Sequence, residues 1–259
     1  KDGQQPTGNI DTIVQSLAGN FRGDVEIVNL MDIDIKGGCL GCCKCGINNI
    51  CDYQGKDGYI DFYNNKVKKA DVVVYAGAIH DRYFSARWKT FFDRSFYNTH
   101  TPTLIGKQIA FLISGPLGQL PNLRQILEAY AEFQEANLAG IVTDESQNST
   151  QIDRLLKELA GALVRPSVQG YTPPMTFLGV GGGKIFRDEV YGMLRFVFQA
   201  DHRYYKKHKF YDFPQKNYKI RRMNALMMVM TKIPTVRKKF LKVIKEQMVK
   251  PIKYIAENR

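Results

Sequence analysis

The chain has 259 residues, of which 44% are hydrophobic, and its mean hydropathy is −0.30. These values fit a soluble globular chain that forms one large domain or one domain with an extension. No apolar run approaches the roughly 18 residues that a membrane-spanning helix needs, so no such helix is expected.

The net charge of +12 is unevenly placed along the sequence. Residues 1–150 carry 14 basic and 17 acidic side chains, whereas residues 151–259 carry 23 and 8. A basic excess confined to the last two fifths of the chain indicates a solvated helical surface, an acidic partner protein or an anionic membrane. No recognised nucleic-acid-binding motif accompanies it, so nucleic acid is not expected as a partner.

The first nine residues, KDGQQPTGN, lack the apolar segment of a secretory signal peptide. The five cysteines form one close set, which in a cytoplasmic chain indicates metal binding before disulfide formation. We therefore expect a cytoplasmic protein, in which any membrane contact is peripheral.

The first 165 residues alternate short apolar runs with amphipathic stretches, which is typical of βαβ units and a parallel sheet. A doubly wound domain normally opens with a strand that leads into the first phosphate loop. This chain begins in a loop, so we expect that first strand to be absent from the sequence or to belong to an upstream segment. The predicted elements are helix Asn9–Asn20, strand Asp24–Asp34, the cysteine loop Gly37–Asp52, helix Tyr59–Lys69, strand Asp71–Ala78, helix Ser85–Asn98, strand Lys107–Ser114, helix Asn122–Ala136, strand Leu138–Val142 and helix Ser149–Val164.

From about Pro166 the pattern changes to helices without strands, so we divide the chain into a domain at 1–165 and a basic helical extension at 166–259. Gly179–Gly183 is predicted to be a hinge or tight loop. Helices are predicted at Ile185–Lys207, Tyr218–Thr231 and Thr235–Glu257. One face of the last helix is apolar and is predicted to pack on the domain or on a second subunit, or else to lie on a membrane; it comprises Val236, Phe240, Val243, Ile244, Met248, Ile252 and Ile255.

The cysteines have the spacing CxxCxxCx5C in Cys39, Cys42, Cys45 and Cys51, with Cys43 as a fifth thiol of unassigned role. Iron–sulfur clusters take four cysteine thiolates at comparable spacings, and the surrounding glycines allow the backbone to turn around the sulfurs. A structural zinc site is the main alternative, although zinc usually takes two CxxC pairs that are farther apart. Free thiols without a metal are the third possibility.

Three stretches resemble the iron–sulfur flavoproteins of the NADPH-dependent FMN reductase-like superfamily, which is flavodoxin-like. They are the cysteine loop CLGCCKCGINNIC, the segment Ala70–Ser95 with its closing Lys89, Asp93 and Arg94, and the segment Pro6–Leu17. Where the family has a proline and a tyrosine after the third strand, this chain has Ala78 and His80. The family's Ser-Pro-Arg start of the phosphate loop is missing.

The resemblance implies a flavodoxin-like doubly wound parallel sheet with FMN bound outside the carboxyl ends of its strands. The phosphate would lie at the start of the first helix, where backbone N–H groups point outward, at Thr7, Gly8, Asn9 and Ile10. The ring would lie against the loops after two buried strands, at Gly77, Ala78, Ile79, His80, Asp81, Arg82, Ser114, Gly115, Pro116, Leu117 and Gly118. The metal ligands would be Cys39, Cys42, Cys45 and Cys51.

The expected function is an oxidoreductase or electron-transfer flavoprotein in which FMN handles two electrons and a [4Fe–4S] cluster takes them singly. The sequence leaves the reductant open among NAD(P)H, ferredoxin and another protein partner, and no catalytic acid or base is named. One alternative is an NAD(P)H-dependent FMN or quinone reductase without a cluster. Another is a non-catalytic docking module tethered by its basic helices. We further expect a homo-oligomer, at least a dimer, with peripheral contact of the tail with an anionic membrane as the alternative to packing.

Overall fold

The computed structural model describes residues 1, 9–212 and 217–257, apart from several side chains of the last helix. The chain forms two compact units whose segments alternate along the sequence. The first unit comprises Lys1–Gly38, Gly55–Arg94 and Pro102–Gly181, and the second comprises Cys39–Gln54, Ser95–Thr101 and Gly182–Arg259. The cysteine loop thus belongs to the same unit as the C-terminal helices. The domain boundary predicted at residue 165 stays a prediction, because a division into compact units does not show which part of the chain folds independently.

A mixed sheet lies in the first unit, and four strands of it fall in the described residues. They are β1 (Val72–His80), β2 (Tyr83–Phe84), β3 (Gln108–Ser114) and β4 (Asn137–Thr143), and they lie side by side in the order β2–β1–β3–β4. β1, β3 and β4 are parallel, while β2 folds back on β1 as a short antiparallel hairpin. The predicted parallel core of an α/β sheet is therefore confirmed.

Helices cover both faces of the sheet because successive side chains of its strands point to opposite faces. Ala76, Ala110 and Leu112 meet the apolar faces of two helices, α1 (Asn9–Ala18) and α5 (Ser149–Gln169). Tyr75 and Phe111, on the opposite face, stack with ring centroids 5.4 Å apart. Aromatic side chains from three further helices join them; these helices are α2 (Tyr59–Phe62), α3 (Ala86–Ser95) and α4 (Pro121–Phe133).

The strand predicted at Asp24–Asp34 is wrong: residues 24–29 have no regular structure, and Leu30–Asp32 is a 3-10 turn. None of the four described strands lies beside this segment, so it lacks the ladder that defines a strand. Its backbone pairs with Lys1, whose N–H donates to Val28 at 3.0 Å and whose carbonyl accepts from Leu30 at 2.7 Å. Arg87 then holds the following turn by donating to the carbonyls of Leu30, Ile33 and Ile35.

Helix α5 does not end before Pro166 as predicted, because it continues to Gln169 and stops at Gly170, which is left-handed with φ 63°. The hinge predicted at Gly179–Gly183 is also wrong, since this stretch lies inside helix α6 (Phe177–Glu189). The Glu132 carboxylate accepts the Thr176 and Gly179 N–H groups at 3.2 and 2.9 Å, which satisfies donors at the helix start. A side chain at Gly179 would meet that carboxylate at 2.5 Å, so glycine permits the contact.

Helices dominate the second unit, and the helix predicted at Ile185–Lys207 is two helices in the structure. Helix α6 passes into a wide turn at Val190–Leu194, and α7 (Gln199–Lys207) begins after Phe198. The last two helices, α8 (Tyr218–Met230) and α9 (Pro234–Glu257), lie close to their predicted ranges. No helix in the described residues is long and apolar enough to cross a membrane.

The core of the second unit joins the cysteine loop to these helices. Cys43 is buried among Val190, Val197, Phe198 and Tyr205. Gly46 approaches the carbonyl of Val197 so closely that a Cβ there would lie 2.3 Å from its oxygen. Helix α9 packs through Phe240, Leu241 and Ile244, whereas Val243 is half exposed; the side chains of Met248, Ile252 and Ile255 lie outside the described ones.

A fully buried carboxylate, Asp201, anchors the segment Ser95–Thr101 to helix α7. It accepts from the Thr99 hydroxyl at 2.5 Å, the His100 N–H at 3.0 Å and the Thr101 hydroxyl at 3.1 Å, and its second oxygen lies 2.9 Å from His100 Nδ1. Thr99 has φ 58° and ψ −133°, which is strained for a β-branched residue. The Asp201 bonds compensate for that strain.

A buried ion pair lies in the first unit, between Arg94 and Asp57. The guanidinium donates to both carboxylate oxygens at 2.7 and 3.0 Å and to the Gly37 carbonyl at 3.0 Å. Asp57 also accepts the N–H groups of Lys36 and Tyr59. Gly37 begins the cysteine loop and Asp57 lies five residues after its end, so this cluster holds the two ends of the loop together.

Candidate functional site

The carboxyl ends of β1, β3 and β4 bring together several residues that the sequence assigned to the flavin. Gly77 and Ala78 lie opposite Ile113 and Ser114 in the parallel register. Parallel strands end at the same edge of a sheet, where α/β folds bind their ligands.

Asp144, directly after β4, organises this edge. Its carboxylate accepts from the Ser114 hydroxyl at 2.6 Å, from the Gly115 N–H at 2.8 Å and from the Asn9 side-chain amide at 3.3 Å. One carboxylate thus fixes the start of α1 against the loop that follows β3. The neighbouring Glu145 accepts the Gly118 N–H at 2.9 Å, which holds the far end of the same loop.

The other residues predicted to contact the flavin lie near this edge of the sheet or outside the described residues. Ile10 is buried in the core, Pro116 and Gly118 are exposed, and Leu117 is buried. The flavin loop predicted at 77–82 is largely strand, because β1 continues to His80 and turns at Asp81, whose φ is 59°. His80, Asp81 and Arg82 lie exposed at the hairpin tip. Thr7 and Gly8 fall outside the described residues.

Gly115 is the position in this loop at which only glycine fits. Its φ is 122°, and a Cβ would lie 3.1 Å from the Cβ of Ile79. Backbone without a side chain can approach a planar ring closely. A helix start, a glycine loop and a strand end at one sheet edge together suit a flavin mononucleotide.

Replacing Gly115 by alanine is expected to lower the free energy of unfolding by about 1–3 kcal/mol, because the strained φ and the Ile79 contact must both be accommodated. Urea unfolding followed by the fluorescence of Trp88, the single tryptophan, measures this. Gly161→Ala is the control: it lies in α5 with open space at its Cβ and should leave stability unchanged or raise it by about 1 kcal/mol. Equal unfolding midpoints for the two variants would contradict the role given to Gly115.

The cysteine loop forms a second candidate site, in the other unit. Cys39 is exposed, Cys42 and Cys51 are half-buried, and Cys43 and Cys45 are buried. The Cys45 thiol donates to the Phe96 carbonyl at 3.7 Å. The loop is also fixed by Asn49, which donates to the Tyr97 carbonyl, and by Arg203, which donates to that of Ile47 at 2.6 Å.

Burial has the largest effect on the pKa values of the two buried thiols, Cys43 and Cys45. It raises the pKa of Cys45 to about 12, and the charges of Cys51, Cys39, Cys42 and Cys43 act in the same direction. Burial also raises the pKa of Cys43, with smaller contributions from Cys42 and Cys39. The thiols therefore lie close enough to affect one another's pKa values. Without a metal, the thiols of Cys43 and Cys45 are protonated at neutral pH.

The donor chemistry of this loop fits a thiolate-bound metal, because five thiols lie within 13 residues. In the described part of the chain, however, no group of three or more His, Cys, Asp or Glu side chains is arranged to hold a metal ion. The expected convergence of Cys39, Cys42, Cys45 and Cys51 on one centre is therefore not seen. Their role as ligands stays a prediction.

A family model described as NADPH-dependent FMN reductase matches residues 3–148, which is more than half of the chain and includes all four described strands. The chain belongs to this family. This family membership identifies the chain as a flavin-dependent oxidoreductase and supports FMN as its cofactor. The match does not distinguish the iron–sulfur group.

Among solved structures, that of the Trp repressor binding protein from Bacillus subtilis is similar at 15% identity and a TM-score of 0.41, over 61% of this chain and 95% of that one. Similarity at this level supports no conclusion about this chain. No curated protein matches it.

The sequence analysis missed Asp144 and Glu145, although both lie in the span that matches the NADPH-dependent FMN reductase family. A usable signal was present, because two acidic residues directly follow the predicted strand Leu138–Val142 and its neighbour Thr143. Polar residues at that point of a parallel strand reach the ligand edge of the sheet.

Proposed function

We propose that this chain is an NAD(P)H-dependent FMN oxidoreductase whose cysteine loop carries a [4Fe–4S] cluster, so that it converts between two-electron and one-electron carriers. One observation above all supports flavin binding: the Asp144 carboxylate organises the carboxyl edge of the sheet. It fixes Asn9, Ser114 and Gly115, which lie within the family-matched span. Four cysteines in one loop with the spacing CxxCxxCx5C support the cluster half.

FMN, when bound, supplies the chemistry by accepting a hydride and releasing electrons singly. The residues bind and orient it. The start of α1 at Asn9 presents backbone N–H groups suited to a phosphate. The Gly115 backbone allows the ring to approach, and the carboxylates of Asp144 and Glu145 hold the loop in place by occupying the Gly115 and Gly118 N–H groups.

The cysteine loop would bind the cluster through thiolates, so its cysteine thiols would first have to lose their protons. Burial raises the pKa of the Cys45 thiol, which donates its proton in the hydrogen bond to Phe96. Metal binding to thiols is coupled to proton release, so loading would break that bond. Cys43, buried among apolar side chains, is not proposed as a ligand.

The proposal is tested by measuring flavin, iron and sulfide on anaerobically purified full-length protein. We expect about one FMN per chain with about four iron and four sulfide, and broad visible absorbance beneath the flavin bands. FMN without iron or sulfide would support the cluster-free FMN or quinone reductase and overturn the cluster half. Absence of FMN after incubation with excess FMN would overturn the whole proposal and favour a docking module.

Serine replacements then identify the ligands. Each of Cys39→Ser, Cys42→Ser, Cys45→Ser and Cys51→Ser is expected to lose most of the iron and sulfide, because a cluster that lacks one thiolate loses its closed coordination. Bound FMN should be retained in all four, which shows that the protein is folded. Cys43→Ser is the matched control and should keep its iron. Full iron and sulfide in all four variants would show that these thiols are not the ligands.

A further inference from the structure

Helix α8 has an unusual distribution of side chains in the second unit. Its inward face is Ile220, Asn224, Met227, Met228 and Thr231, of which Asn224 and Thr231 are buried. Asn224 donates to the Gly192 carbonyl at 2.8 Å, and Thr231 accepts from the Gln199 side chain at 3.1 Å. Polar groups therefore fix this helix to its unit.

The outward face of the same helix and its next residues carries large apolar side chains among basic ones. A helix on the surface of a globular protein normally turns its apolar side chains inward. Most of each large side chain on this face is accessible: Tyr218 is 65% exposed, Met223 52%, Leu226 60%, Val229 61% and Ile233 52%. Exposed apolar patches of this kind mark interaction surfaces.

Exposed positive charge lies on this helix and on α9. Residues 217–245 contain nine lysines and arginines and no acidic residue. Lys219, Arg221 and Arg222 are exposed on α8, and Lys238, Lys239 and Lys242 are exposed on α9. Within the part of the chain that the structure describes, none of these six forms an ion pair. Arg221 instead lies over the ring of Tyr218, 5.8 Å from its centroid.

We propose that α8 and the following turn, residues 218–233, form a binding surface for an anionic lipid bilayer. Exposed hydrocarbon beside a dense set of cations suits the boundary between anionic headgroups and acyl chains. Each lysine or arginine near such a surface adds attraction, and Tyr218 has the amphipathic ring found at membrane interfaces. The helix would lie on the bilayer and not cross it.

A lipid surface suits this face better than a protein does. Specific protein interfaces carry about one hydrogen bond per 100–200 Å² and are depleted in lysine relative to the rest of the surface. The outward side chains of α8 offer hydrocarbon and cationic donors but no carboxylate. A second copy of the chain would present the same positive charges, which disfavours self-association through this face. The proposal does not depend on the flavin or the cluster.

The test is flotation of the full-length protein with vesicles of phosphatidylcholine alone or with about 30% phosphatidylserine. We expect binding to the anionic vesicles only, and loss of binding as salt rises, because the screening length shrinks to about 3 Å at 1 M. Arg221→Gln combined with Arg222→Gln should weaken binding about 25-fold. Leu226→Ser combined with Val229→Ser should weaken it at least about tenfold.

Two controls keep the outcomes distinct. Ile126→Ser changes an exposed apolar residue on α4 and should bind as the unaltered chain does. Far-UV circular dichroism shows whether each variant is folded. Three results would overturn the proposal: no flotation with anionic vesicles, equal flotation with neutral ones, or a dimer in light scattering that Leu226→Ser and Val229→Ser dissociate without any vesicle binding.

Discussion

Arg94→Ala is expected to lower the free energy of unfolding by about 3–5 kcal/mol, because it leaves the Asp57 carboxylate buried without its cation. The Gly37 carbonyl also loses its donor. Urea unfolding followed by Trp88 fluorescence measures the loss. Arg94→Lys keeps the charge but cannot form the two-oxygen contact, so we expect an intermediate loss.

The double variant Arg94→Ala with Asp57→Ala separates an unpaired charge from lost packing. It should be more stable than Arg94→Ala alone, because no buried charge remains. A double variant that is less stable than Arg94→Ala would show that Asp57 stabilises the fold even without its cation, and would contradict this account.

The same pair predicts a dependence on pH. Burial alone would raise the pKa of Asp57, but the hydrogen bonds from Arg94, Lys36 and Tyr59 and the charge of Arg94 outweigh it and hold the pKa below its ordinary value. A carboxyl whose pKa is lower in the folded state stabilises the fold above its ordinary pKa of about 3.9 and loses this effect as the pH falls through the folded value. The stability difference between the unaltered chain and Arg94→Ala should therefore shrink below about pH 4.

Asp201→Ala is expected to destabilise the second unit by about 3–5 kcal/mol. The substitution removes a buried acceptor from Thr99, His100 and Thr101, and each buried donor left unsatisfied costs about 1–3 kcal/mol. The strained Thr99 backbone would then relax. Hydrogen exchange by mass spectrometry should show faster exchange in residues 95–101 and in the cysteine loop, because Phe96 and Tyr97 hold that loop.

Asp212→Ala is the matched control in the same unit. Asp212 is exposed, and its buried partner Arg187 keeps a second ion pair with Asp188, so the substitution is expected to cost about 1 kcal/mol. Asp201→Asn keeps one acceptor oxygen and should lie between the two. Unchanged exchange at 95–101 in Asp201→Ala would show that other contacts hold this segment.

The sequence predicted those parts of the fold whose signal is local. The runs around Val72–His80 and Gln108–Ser114 are continuous and β-branched or aromatic, and the structure has strands there. Ser85 is the first residue of the predicted helix Ser85–Asn98, and in the structure its hydroxyl accepts the Trp88 N–H at 3.3 Å. Such features depend on neighbours in the chain and can be predicted without tertiary structure.

The errors arose where a distant residue decided the local conformation. Glu132 satisfies the start of α6 and makes a helix of the GVGGG stretch, which alone indicates a hinge. Asp24–Asp34 has the composition of a strand but no described strand beside it. At the candidate site, Asp144 acts through residues 30 and 135 positions away in the sequence, a relation that no spacing rule reveals.

The alternation of the two units along the sequence has a consequence for biosynthesis. Ile47 and Arg203, which join the cysteine loop to α7, are 156 residues apart. A ribosome adds roughly 5–20 residues per second, so the loop waits on the order of 10 s or more for the helices against which it packs. During that interval its thiols are in a nascent chain without their final surroundings. Chaperones or metal-delivery factors acting on this loop would therefore have a window before termination of translation, and slow codons after residue 54 would lengthen it.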